Sequence, residues 1–178
     1  GVVATYKNGD IPVEMLVYTQ TSPDVPALAR HISTIELKSG SKPTVDVDAT
    51  SGFQWPWAWY LRDIALAGYP QYGQHLPSSM MEQQILIIHS QNKLAVQETV
   101  KDVYGEGSRF KHRWWFPEHT YRDLSLKKII KSVFDRPSWV RSMDYFVYRD
   151  LNHNLSSEDA YVYFDDAEMR KFRSLELE

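Results

Sequence analysis

Two rhythms of apolar and polar positions alternate along the chain. "VEMLVYTQ" (13–20) and "ILIIHS" (85–90) are apolar on both faces and read as central strands. "TVDVDA" (44–49) alternates strictly, with Val45, Val47 and Ala49 on one face and Thr44, Asp46 and Asp48 on the other. Between these runs, Val25, Leu28, Ala29, Ile32 and Ile35 recur at helical steps. Ser22 stands at the N-cap of that helix, Pro23 at its first position and Asp24 in its first turn, and Gly40 closes it. A second stripe, Val96, Val100 and Val103, runs up to Gly105. Leu126, Ile129, Ile130, Val133 and Phe134 form the cleanest helical stripe, stopped at Arg136–Pro137.

The remaining segments fit around these. "AGYPQYG" (67–73) reads as an edge strand, because Pro70 cannot donate in a central ladder. "PSSMMEQQ" predicts a linking helix, "SRFKHRWWF" (108–116) and "DAYVYF" (159–164) predict strands, and "WVRSMDYFVYRDL" (139–151) fits either period. Strands separated by helices imply parallel crossovers, so the pattern predicts an α/β fold: a Rossmann-like three-layer domain with a mostly parallel open sheet. Residues 13–165 form that domain, after an N-terminal linker (1–12) and before a charged C-terminal tail (166–178).

Composition narrows the chemistry. No cysteine occurs among the 178 residues, which excludes disulfides, thiol nucleophiles and iron–sulfur clusters. A net charge of −3 without a basic run argues against a nucleic-acid partner. No apolar run reaches the length of a membrane span, and the N-terminus carries no signal-peptide pattern. The glycine-rich phosphate loop is missing, since "GEGSRF" (105–110) lacks the third glycine of the dinucleotide fingerprint. The six histidines show no paired metal spacing, and no serine-nucleophile elbow appears. Neither a cofactor nor a metal is expected.

What remains is aromatic and charged. Asp46 and Asp48 share one face of a strand, either as carboxylates aimed at a ligand or as a solvated edge. They lead into "SGFQWPWAWYLRD", with Trp55, Trp57, Trp59, Arg62 and Asp63; on a helix Trp55 and Trp59 share a side that Trp57 does not. "RWWFPEHTYRD" (113–123) repeats the theme with Arg113, Trp114, Trp115, Glu118 and Tyr121. Indoles flanked by charges suit sugar stacking or partner contact, and equally a core whose N–H groups need polar partners. These twelve residues are the candidate ligand-binding set, gathered at the strand ends of a shared cleft. No catalytic residue can be assigned.

At "YTQTSPD", "VDVDATSGFQWPWAWYLRD", "RWWFPEHTYRDLSL", "MDYFVYRDL" and "SSEDAYVYF" the chain resembles the C-terminal soluble region of large prokaryotic multi-span membrane proteins. Those are predicted glycosyltransferases, akin to dolichyl-phosphate-mannose protein mannosyltransferases, some linked to flippase activity. The resemblance spans roughly residues 13 to 165, and it departs at "IIHS" (87–90), where a serine–aspartate-like strand end is expected. It implies an accessory, non-catalytic domain on the extracytoplasmic face of the membrane. Its partners would be the membrane-embedded part of its own chain and a glycan or polyprenyl-phosphate sugar. The alternatives are a small-molecule enzyme using Asp46 and Asp48, and a purely structural domain with buried tryptophans.

Overall fold

The computed structural model describes residues 12–13, 19–73, 75–117, 125–148, 151 and 154–165. The chain divides into two compact units: one from residues 21–112 and 158–178, the other from residues 1–20 and 113–157.

Strands β1 (Gln20–Thr21), β2 (Thr44–Val47), β3 (Leu66–Gly68), β4 (Ile85–His89), β5 (Ser108–Trp115) and β6 (Ser156–Phe164) form one sheet in the order β1-β5-β6-β4-β2-β3. β2 pairs parallel with both β3 and β4, but β6 runs antiparallel to β4, with His89 opposite Ala160. Side chains pair Arg109 with Asp159 and His112 with Glu158, so the β5 index rises while the β6 index falls, as in an antiparallel pair. The expected Rossmann-like, mostly parallel open sheet is therefore wrong: the sheet is mixed. The physical reason lies in the connection. The helices between β5 and β6 belong to the other unit: the chain leaves the larger unit after His112 and returns at Glu158, so the helical pattern there is not a crossover within that unit. Of the strand expected over 13–20, residues 14–18 lie outside the described residues; only Gln20 falls in an observed strand, the two-residue β1 at the sheet edge.

The larger unit is built as its periodicities require. Helix α1 (Asp24–Ser39) begins where Ser22 Oγ accepts the Asp24 N–H (3.2 Å) and ends at Gly40 with φ 72°, the left-handed turn that glycine adopts at no steric cost. The buried Asp24 carboxylate accepts the Lys111 N–H (2.8 Å), which fastens the helix start to β5. Val25, Leu28 and Ile32 of α1 pack with Val45, Val47, Ile85, Ile87 and Val162. Helix α3 (Lys93–Tyr104) contributes Val96, Val100 and Tyr104 to a separate cluster with Leu86, Ile88 and Tyr163, the residues of alternate parity on the same strands. Strand alternation thus divides the apolar residues between two cores, one on each face of β4 and β6.

In the smaller unit, α4 (Leu126–Val133) and α5 (Arg136–Tyr148) form a helical hairpin. Asp135 caps the start of α5 by accepting from the Ser138 N–H (3.2 Å) and hydroxyl (2.6 Å). That hydrogen bond to Ser138, more than the Arg141 guanidinium nearby, holds the Asp135 carboxyl below the usual range. Tyr145 donates to the Val13 carbonyl (3.0 Å) and meets Phe116 edge-on. Among the described residues, no helix is long and apolar enough to cross a membrane.

Candidate functional site

The parallel strands β2 and β4 end side by side, and Asp48, one residue past β2, closes the gap between them. Its Oδ1 accepts from the Thr50 N–H (2.8 Å) and the Tyr72 N–H (3.4 Å), its Oδ2 from the His89 N–H (3.3 Å) and the Asn92 side-chain amide (2.7 Å). Asn92 also donates to Thr50 Oγ1 (3.0 Å), which donates to the Tyr72 carbonyl (2.9 Å). A carboxylate offers about four acceptor sites, and all four are engaged here in a fully buried setting. Asp48 staples its own turn to the segments at Tyr72 and at His89–Asn92.

Asp46 lies two residues earlier, on the face of β2 opposite Val45 and Val47. Burial pushes its pKa up, against partial relief from hydrogen bonds with Tyr72 and Ser79. The Tyr72 hydroxyl approaches its Oδ2 at a long 3.5 Å, and burial together with the two aspartates pushes the Tyr72 phenol up as well. Glycine in the neighbouring strand leaves room for this carboxylate: a Cβ at Gly68 would stand 2.7 Å from Asp46 Oδ1 and push it aside. Further into the same core, Tyr104 is pushed up to about 12 by burial and by Asp165, and its hydroxyl reaches the carbonyls of Met80 (3.0 Å) and Gln83.

A second polar cluster spans β4, β6 and β5. Glu158 bridges two imidazoles: Oε1 meets His89 Nε2 at 2.8 Å, and Oε2 meets His112 Nδ1 at 3.0 Å. The Gln91 N–H donates to His89 Nδ1 (3.0 Å), so neutral His89 carries its proton on Nε2 and gives it to Glu158. Both nitrogens of His89 are thereby committed. His112 is fully buried against aromatic rings, with Phe53 at 4.1 Å and Trp57 nearly parallel at 6.3 Å between centroids. Sequence reasoning missed this trio and left the polar role of "IIHS" open. The usable signal was parity: His112 shares the inward face of β5 with Phe110 and Trp114.

The tryptophan segment resolves into two sides. Phe53, Trp57 and Leu61 recur at four-residue steps and all three are buried, with Trp57 set edge-on to Phe110. Trp57 is therefore core and offers no stacking surface; its indole N–H finds no hydrogen-bond partner among the described residues. On helix α2 (Trp57–Tyr60) and its preceding turn, Trp55 and Trp59 point outward, 61% and 64% exposed. Arg62 lies over the Trp59 ring at 3.7 Å and pairs with Asp63 at 2.9 Å. Residues 55–63 thus present two indoles, a guanidinium and a carboxylate to solvent.

The structure consequently sorts the candidate set. Trp55, Trp59, Arg62 and Asp63 are exposed, with Arg62 touching both Trp59 and Asp63; Asp46, Asp48 and Trp57 are interior. Arg113, Trp114 and Trp115 belong to the smaller unit, where Trp114 is buried and the other two are half-buried. Glu118 and Tyr121 lie outside the described residues. No group of histidines and carboxylates among the described residues is arranged to hold a metal ion. No protein-family model matches the chain, and neither does any curated protein or solved structure.

Proposed function

We propose that the chain is an accessory, non-catalytic domain of a larger membrane glycosyltransferase, placed on the extracytoplasmic face, and that it binds a glycan or lipid-linked sugar through Trp55, Trp59, Arg62 and Asp63. The observation that carries this reading is the outward pair of indoles at i and i+4, held by a buried ring between them. An indole face accepts the C–H side of a sugar ring, while an adjacent guanidinium and carboxylate can exchange hydrogen bonds with its hydroxyls. Even with Arg62 on one face, Trp59 keeps most of its surface open.

The rival enzyme reading loses its reagents. Asp48 has no lone pair left for a substrate proton, and Asp46 is enclosed with Tyr72 in the core. The link to a membrane glycosyltransferase rests on the resemblance at the tryptophan and "RWWFPE" segments. The test is a titration of the chain with oligosaccharides and a polyprenyl-phosphate sugar, followed by calorimetry. Trp59→Ala should weaken binding about fivefold to tenfold, as expected for loss of a stacked ring. Sugar transfer by the chain itself, or binding indifferent to Trp55→Ala and Trp59→Ala, would overturn the proposal.

A further inference from the structure

The helical hairpin of the smaller unit turns apolar side chains outward. On α4 these are Leu126, Ile130 and, just past its end, Phe134, at four-residue steps; Phe134 is the most exposed large apolar residue described, at 86%. On α5 they are Val140, Met143 and Val147. At roughly 3.6 residues per turn these three fall within an arc of about 60°, on the side of the helix away from Ser138 and Tyr145. Those two are half-buried, bonded to Asp135 and to the Val13 carbonyl. An outward stripe on each helix is the reverse of what a self-contained hairpin needs, and large exposed apolar patches mark an interaction site.

Charge decides what kind. Residues 125–148 carry Lys127, Lys128, Lys131, Arg136 and Arg141 against Asp135 and Asp144, in a chain whose net charge is −3. The hairpin is therefore cationic and the remainder of the chain strongly anionic. Asp135 is moreover engaged in capping α5. On α4 the wheel sets Lys127 and Lys131 beside the apolar arc rather than opposite it, where long lysine stems can follow the helix down to a surface. An apolar stripe of Leu, Ile and Phe flanked by lysines is the pattern of a helix lying in the plane of a bilayer interface. A second copy of the chain would bring a like-charged hairpin against this one, which repulsion disfavours.

We infer that the α4–α5 hairpin docks on an anionic lipid surface, inserting Leu126, Ile130, Phe134, Val140, Met143 and Val147 at the level of the headgroups while its lysines meet lipid phosphates. The attraction orients the domain, because an anionic membrane draws this face and repels the rest. The inference stands on the smaller unit alone and is independent of the sugar-binding reading.

The full chain is sedimented with vesicles of phosphatidylcholine mixed with phosphatidylglycerol, and with pure phosphatidylcholine vesicles. Binding to the mixed vesicles, much weaker binding to the pure ones, and release by rising salt are expected. Phe134→Ser should lower the partition coefficient about tenfold, the cost of keeping one large apolar side chain out of the interface. Lys127→Ala and Lys131→Ala should each lower it about fivefold. These side chains are at the surface, so circular dichroism should show every variant folded; Leu126→Ser serves in place of any that is not. Absence of binding to the mixed vesicles overturns the inference. So does binding that ignores these substitutions, or a dimer in sedimentation velocity that Phe134→Ser dissolves.

Discussion

Replacing Asp48 with asparagine changes one oxygen to an amide and tests whether the buried carboxylate is a staple. Four donors converge on it: the N–H groups of Thr50, Tyr72 and His89, and the Asn92 amide. An asparagine oxygen can serve one pair, leaving its own amide facing the other. If the amide takes the Oδ2 side, Asn92 can rotate to present its oxygen, but the His89 N–H then faces a donor and Asn92 loses its bond to Thr50 Oγ1. If it takes the Oδ1 side, two backbone N–H groups are stranded. Each buried donor left without an acceptor costs about 1–3 kcal/mol, so Asp48→Asn should destabilise the larger unit by about 2–4 kcal/mol. Urea denaturation at neutral pH, followed by far-ultraviolet circular dichroism, measures the loss. A midpoint equal to that of the parent chain would refute the account of Asp48 as a structural acceptor and return it to the list of candidate reactive groups.

Trp57→Ala should cost about 3–5 kcal/mol in the same assay, because it empties a fully buried site between Phe53, Phe110 and Leu61. Trp55→Ala and Trp59→Ala, at exposed positions, should move the midpoint by no more than about 0.5 kcal/mol. Asp46→Asn removes a carboxyl whose folded pKa lies above 3.8, so the native state holds this proton more tightly than the unfolded chain does. Its penalty is absent in acid, grows as pH rises from about 3.8 through the folded pKa, and is full above it. The advantage of Asp46→Asn over the parent, followed by thermal denaturation across pH, should therefore widen over that window and then level off; an advantage that shrinks as pH rises contradicts the assignment.

Local physics was legible in the sequence wherever the partners were local. Ser22, Pro23, Asp24 and Gly40 bound α1 as their chemistry demands, and β2 pairs parallel with β4 as expected, although only short turns, α2 and β3 lie between them rather than a long helix. Of the edge strand expected over 67–73, only Ala67 and Gly68 belong to β3 (Leu66–Gly68), which lies at the sheet edge; Pro70 lies beyond its end. The antiparallel course of β6 was not legible. A helix between two strands looks the same in sequence whether it covers their sheet or belongs to another unit, as α4 and α5 do. Asp48 was singled out but its role was not, since three of its four donors are backbone N–H groups, which every residue except proline carries. The trio of His89, His112 and Glu158 is joined only by the pairing of three strands, across 23 and 46 positions of sequence, and no local motif encodes it. Among the tryptophans the four-residue step separated the ring in the core from the two outside it, though periodicity alone did not say which side was which.

The most direct test of the sugar-binding account is the nuclear magnetic resonance spectrum of the indole N–H groups in the uniformly nitrogen-15-labelled chain. The signals are assigned by single substitution and followed during addition of oligosaccharide and of a polyprenyl-phosphate sugar. The account predicts that Trp55 and Trp59 shift in a saturable, concentration-dependent way while the buried Trp57 stays in place. Stationary signals from both exposed indoles across the whole sugar panel would contradict it.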